Sequence, residues 1–164
     1  MERVLVVGAG AREHALAWKF GRSSYAEVFI WPDHPAALGV AQGIGLEANA
    51  TFEQLVERIQ ANNIQLVVIG PEAYLSQGLA DFLTSKRVAV FGPTKKAAQL
   101  ETSKSFAKQL MAQAGIPTAN HQTAESFGDA RATALEMIAA TGGAVIKASG
   151  LAAGKGVFVC TSSA

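Results

Sequence analysis

The chain has 164 residues, 49% hydrophobic and 16% charged, with a formal net charge of +1. That length holds one domain, or one domain and part of another, around a core that needs neither disulfides nor metals. The charge balance excludes the basic footprint of a nucleic-acid binder, and a single cysteine, Cys160, excludes an internal disulfide and points to a reducing compartment.

Taken in chain order, residues 4–7 are a short apolar run ended by Gly8-Ala9-Gly10. The run is too short for a signal sequence. It predicts a buried parallel strand, a tight turn and a helix over about 11–20, with Ala15, Leu16, Trp18 and Phe20 apolar and Arg12, Glu13 and Lys19 on other faces. Residues 28–31 read as a second strand, turned by Pro32-Asp33-His34-Pro35. Phe52, Leu55, Val56 and Ile59 have helical spacing. Residues 66–69 form a third strand ended by Gly70-Pro71, residues 78–83 are part of a helix, and 88–91 are a fourth strand ended by Gly92-Pro93. Strands alternating with helices predict an open parallel α/β sheet with helices on both faces. Every predicted strand ends in a Gly- or Pro-rich turn, at the edge where such sheets bind ligands.

The pattern changes after residue 93. A short helix is expected over 95–100, and a second over 103–114 with Phe106, Leu110 and Ala114 on one stripe. A third is expected over 127–140, closed by Gly142-Gly143. Two strands, 144–147 and 157–160, are joined by a loop without a helix. A domain of residues 1–100 followed by a second portion, 101–164, is the expected organisation. No stretch reaches the roughly 20 apolar residues of a membrane span. The expectation is a cytoplasmic protein that engages small molecules, not nucleic acid or membrane.

Three motifs carry chemistry. A turn such as Gly8-Ala9-Gly10 leaves backbone N–H groups unpaired at the positive end of a helix, which is an anion site. Arg12 in that first turn opposes the helix dipole, and a bound phosphate would reconcile it. A dinucleotide-binding fingerprint would need a small residue at position 13, where this chain has Glu13, although Asp33 stands where such domains place a ribose-binding acid. Second, Glu72 follows Gly70-Pro71 at a strand's carboxyl end, placed either to accept from a ligand amine or hydroxyl or to cap the next helix. Third, the segment from Lys147 to Gly156 contains Gly150, Gly154 and Lys155. Its spacing is not that of a Walker A loop. A glycine-rich loop between strands with a lysine at its base and another at its tip suits a flap over a polyphosphate. Lys104, near a helix start, is a weaker signal of the same kind. His14, His34 and His121 have no metal-ligand spacing.

These residues resemble a known family. Gly8 to Ala15 is similar to the GNGGREHA opening of phosphoribosylamine–glycine ligases, also called glycinamide ribonucleotide synthetases. Gly70-Pro71-Glu72-Ala73 resembles their GPEAPL motif, Phe91 to Lys104 their FGPT…AAxLExSK segment, and Lys147 to Val157 their KADGLAAGKGV loop. Ala9 and Ala11 replace Asn and Gly, Tyr74 stands in place of Pro, and Ser149 in place of Asp.

The resemblance implies a Rossmann-like (pre-ATP-grasp) domain followed by an incomplete ATP-grasp portion. It implies an ATP-dependent carbon–nitrogen ligase of purine biosynthesis that joins glycine to 5-phosphoribosylamine through a glycyl phosphate. Gly8, Gly10, Arg12, Glu13 and Glu72 are the expected contacts to the phosphoribosyl substrate. Lys104, Lys147, Gly154, Lys155 and Gly156 are the expected contacts to ATP. The Mg2+ ligands are expected after Ala164, so the 164-residue chain alone is expected to be inactive. The alternatives are a non-catalytic phosphoribosyl-binding module and a nicotinamide-dependent (NAD) oxidoreductase domain.

Overall fold

The computed structural model describes residues 1–152 and 155–161. The chain divides into two compact units, Met1–Ala98 and Gln99–Ala164. The first holds β1 (Glu2–Val7), α1 (Ala11–Gly21), β2 (Ala26–Trp31), β3 (Gln42–Gly43), α2 (Phe52–Ala61), β4 (Leu66–Ile69), α3 (Glu72–Gln77), α4 (Leu79–Ser85) and β5 (Val90–Phe91). Helix α5 (Lys95–Thr102) crosses the division, and the second unit holds α6 (Lys104–Gln113), α7 (Phe127–Thr141), β6 (Ala144–Lys147) and β7 (Val157–Cys160).

In the first unit, five parallel strands pair in the order β3-β2-β1-β4-β5. Alternation along each strand sorts the side chains between two faces. Leu5, Val7, Phe29, Trp31, Val67 and Ile69 pack with residues of α2 and α4, among them Leu55, Ile59, Leu79 and Leu83. Val6, Val28 and Ile30 pack against Ala17 of α1 on the other face. The sheet is thus covered on both sides, which is why its strands read as continuous apolar runs. Helix α2 starts with a reciprocal cap: the Gln54 amide donates to Thr51 Oγ1 at 3.3 Å, and the Thr51 amide donates to the Gln54 side chain at 2.9 Å.

In the first unit the structure differs from expectation in several elements. The helix expected over 78–83 is found as α4, but α3 before it was not expected; Gly78, at φ 92°, both ends α3 and begins α4, with Leu75 and Leu79 buried on either side. The fourth expected strand shrinks to Val90–Phe91. Strand β3, unforeseen, pairs with Phe29 and Ile30 of β2. In α1 the buried positions are Glu13 and Ala17, while Ala15 and Trp18 are exposed. The Arg22 guanidinium lies 5.3 Å from the centre of the Trp18 ring.

In the second unit, Ser103 caps α6 by accepting from the Phe106 amide at 3.3 Å. Ser126 caps α7 by accepting from the Asp129 amide at 3.1 Å. Gly142, at φ 78°, ends α7. Strands β6 and β7 pair antiparallel, from Ala144↔Cys160 to Lys147↔Val157. The stripe expected on α6 does not reach a core, since no residue of that helix is buried. Among the described residues, no helix is long and apolar enough to cross a membrane.

Candidate functional site

The chain runs β1, β2, β3 to one side of the sheet and then returns to lay β4 and β5 on the other side of β1. The reversal places a switch point at the carboxyl ends of β1 and β4, where ligands of open α/β sheets bind. Two backbone bonds extend the sheet there: the Gly8 amide donates to the Trp31 carbonyl at 2.7 Å, and the Gly70 amide to the Val7 carbonyl at 3.0 Å. The chain then leaves β1 through Gly8 at φ 129°, a conformation closed to L side chains at ordinary cost.

Glu13 lies inside this turn. It is 4% exposed, and its carboxylate accepts from the Gly10 amide at 2.8 Å. The three nearby glycines make room for it. A Cβ at Gly8 would lie 2.5 Å from Glu13 Cγ, one at Gly10 would lie 2.8 Å from Glu13 Oε2, and one at Gly70 would overlap the Glu13 carboxylate. Glu13, one of the residues expected at the substrate, caps the start of α1 from inside the turn. The signals were the spacing of three residues from Gly10, which is that of a helix cap, and the shared helix face of positions 13 and 17.

The turns after β1 and β4 together form the crest of the sheet, and Arg12 reaches across it from the first turn to the second. Its guanidinium donates to the Gly70 carbonyl at 2.9 Å and lies 3.7 Å from the Glu72 carboxylate. The side chains of Arg12 and Glu72 are 66% and 38% exposed, so the pair is open to a ligand and contributes at most about 1 kcal/mol by itself. Arg12, Glu72 and the Gly8–Gly10 turn therefore converge, while the Gly10 amide is already committed to Glu13. Tyr74, two residues further along α3, packs its ring 5.2 Å from that of Trp31 at the end of β2. Burial raises the Tyr74 phenol above its usual 10.0.

Asp33 does not offer a ribose-binding carboxylate in the manner of a dinucleotide fold. Its two oxygens accept from the amides of Ile44 at 3.0 Å and Gly45 at 3.3 Å, fastening the segment after β3 to the end of β2. A cavity of about 520 Å³ opens elsewhere in the same unit, beside Met1, Glu27 and Gln42, and contains none of the candidate residues.

In the second unit, Lys104 begins α6, where its charge opposes the helix dipole by about 0.3–1 kcal/mol. Its ammonium donates to the Gly150 carbonyl at 2.7 Å, which ties the helix start to the glycine-rich segment. Lys147 ends β6. One step further on, the Ala148 amide donates to the Gly156 carbonyl at 2.8 Å and continues the ladder. Gly156, at φ 71°, lets the chain re-enter β7; a Cβ there would lie 3.1 Å from Ala148 Cβ. Lys147 and Lys155 are exposed. Gly154 lies outside the described residues. The described residues contain no group of three or more His, Cys, Asp or Glu placed to hold a metal ion.

Residues 2–101 match the family described as phosphoribosylglycinamide synthetase, N domain, and residues 102–164 match phosphoribosylglycinamide synthetase, ATP-grasp (A) domain. The chain is 42% identical over 161 residues to a phosphoribosylamine–glycine ligase of Rhodopirellula baltica, covering 96% of this chain and 37% of that one. It is 46% identical over 160 residues to that of Neisseria meningitidis, covering 96% and 36%. The crystal structure of a phosphoribosylamine–glycine ligase from Thermotoga maritima superposes with a TM-score of 0.70 at 32% identity, over 98% of this chain and 36% of that one. A biotin carboxylase domain from Hydrogenobacter thermophilus shares the fold, with a TM-score of 0.76 at 18% identity over 99% of this chain and 38% of that one. The chain spans a little over a third of the length of the curated relatives it matches.

Proposed function

We propose, from the premise that this chain belongs to the phosphoribosylglycinamide synthetase family, that it supplies the phosphoribosyl-binding crest and part of the ATP site of an ATP-dependent ligase. The reaction joins glycine to 5-phosphoribosylamine. A glycine carboxylate oxygen attacks the terminal phosphorus of ATP, ADP leaves, and a glycyl phosphate forms. The amine of phosphoribosylamine attacks its carbonyl carbon, the C–N bond forms, phosphate leaves with the C–O electron pair, and the nitrogen loses a proton. Such chemistry depends on positioning and on charge stabilisation of the moving phosphoryl group.

One observation carries the reading: Arg12 and Glu72, from different strands' turns, meet at the sheet's switch point 3.7 Å apart. Arg12 suits the ligand's 5-phosphate, because a guanidinium pairs with phosphate in a two-pronged way. Glu72 suits its amine or hydroxyl groups. In the second unit, Lys104, Lys147 and Lys155 suit ATP phosphates, with Gly156 giving the backbone freedom to turn beside them. These lysines fit a polyphosphate, whereas the described residues offer no carboxylate cluster for Mg2+.

Calorimetry with a stable glycinamide ribonucleotide analogue tests the crest. Arg12→Ala should weaken binding by roughly 1.5–3 kcal/mol, the value of a charged hydrogen bond. Unchanged affinity in a folded variant removes Arg12 from the site.

A further inference from the structure

We propose that Glu13 determines the specificity of this crest: its carboxylate takes the anion position at the start of α1, so the turn rejects pyrophosphate-bearing ligands and a ligand phosphate is held only by Arg12. The argument begins with what such a turn ordinarily does. A glycine-rich connection from a parallel strand into a helix presents first-turn amides to a phosphate. In dinucleotide-binding folds the third glycine of the fingerprint allows close packing of helix on strand.

Here the third-glycine position is Glu13. Its side chain turns back into the space the fingerprint leaves open. It fills the volume between Gly8, Gly10 and Gly70, it is 4% exposed, and it receives the Gly10 N–H at 2.8 Å. The protein has thus placed a carboxylate of its own where a bound anion would sit. A second anion brought to the amides of Ala11, Arg12 and Glu13 would meet that carboxylate across the turn, and like charges in a partly buried site disfavour one another.

Arg12 completes the division of labour. Its bond to the Gly70 carbonyl holds the guanidinium over the turn from β4, and two-thirds of the side chain remains open to solvent. A phosphate that approaches the guanidinium gains a direct charged partner without entering the turn. The choice of ligand rests on the reading of this crest as a phosphoribosyl site, whereas the closure of the turn does not.

The test is an NMR titration of the wild-type chain and Glu13→Gln with inorganic pyrophosphate. In the wild type, the Arg12 side-chain N–H resonance should respond while the backbone amides of Ala11, Arg12 and Glu13 stay in place. In Glu13→Gln, which keeps the shape and an acceptor for Gly10, those amides should respond and pyrophosphate should bind about tenfold more tightly. Saturable shifts of all three amides in the wild type, with the affinity seen in the variant, overturn the proposal. If Glu13→Gln does not fold, the wild-type titration decides alone: amide shifts overturn closure, and a response confined to the Arg12 side chain supports it. Silent turn amides together with an Arg12→Ala variant that binds the ribonucleotide analogue normally would sink the phosphoribosyl reading and leave the closure standing.

Discussion

Gly8→Ala should be among the most damaging small substitutions in the first unit. Two costs combine. At φ 129° an L side chain is strained, and sparsely populated backbone regions of this kind cost about 1–3 kcal/mol. The new Cβ would also lie 2.5 Å from Glu13 Cγ, 2.7 Å from Pro71 Cδ and 2.8 Å from Glu13 Cδ. None of these atoms can retreat easily, because Glu13 is buried and bonded to Gly10. Overpacking of this kind costs about 1–3 kcal/mol. The sum, about 2–6 kcal/mol, is a large part of a typical stability of about 5–15 kcal/mol. Gly45→Ala is the control: φ is also positive, at 71°, but nothing lies within 4 Å of a Cβ there, so only strain of about 1–2 kcal/mol remains. Urea unfolding, extrapolated linearly to water, measures both. A Gly8→Ala cost within about 0.5 kcal/mol of the Gly45→Ala cost would refute the close packing around Glu13. Adding Glu13→Ala to Gly8→Ala should relieve part of the clash, with a coupling of about 1 kcal/mol or more. The relief is partial because Pro71 stays.

Asp33→Ala removes the acceptor shared by the Ile44 and Gly45 amides; it should cost about 1 kcal/mol in urea unfolding, with Asp33→Asn costing less. Lys104→Ala breaks the bond to the Gly150 carbonyl; a loss of about 1 kcal/mol corresponds to about fivefold faster amide exchange over 148–151, and unchanged exchange would show the bond to be idle. Burial raises the Tyr74 phenol above 10.0, so its neutral form favours the folded state. Its contribution is full below the unfolded value and is lost as pH rises through the folded one. The stability difference between wild type and Tyr74→Phe should therefore be flat up to about pH 9 and shift against the wild type above about pH 10. A difference independent of pH would contradict the burial.

The α/β class was readable because a sheet covered on both faces requires strands apolar at every position, and 4–7, 28–31 and 66–69 are such runs. Strand β3 was not readable. Gln42 and Gly43 have no apolar run, and their pairing is supported by Asp33, which anchors the following amides to the end of β2. Helix α3 was not readable because its six residues, set off from α4 by the left-handed φ of Gly78, are too few to show a periodicity. In the candidate site, Arg12 and Glu72 were visible as strand-end charges. Their meeting depends on the adjacency of β1 and β4, which no local pattern encodes. The burial of Glu13 was not legible for a related reason: a carboxylate in a helix is ordinarily solvated, and its burial here depends on Gly70, far away in sequence. The contact from Lys104 to Gly150, 46 residues apart, is equally non-local.

The central place of β1 has a consequence for the order in which the protein can acquire its shape. The earliest strand of the chain needs neighbours on both sides. One, β2, begins at Ala26; the other, β4, begins only at Leu66. Until that second neighbour is synthesised and docks, one edge of β1 has no partner in this sheet. Pairings so distant along the chain form slowly, because the loop between them must be closed first. The crest is subject to the same delay. Arg12 closes on a carbonyl 58 residues further along the chain, and the pocket around Glu13 has no outer wall until Gly70 arrives. The candidate site is therefore a late product of folding, finished by the strand that gives β1 its second neighbour rather than by the turn that bears its side chains.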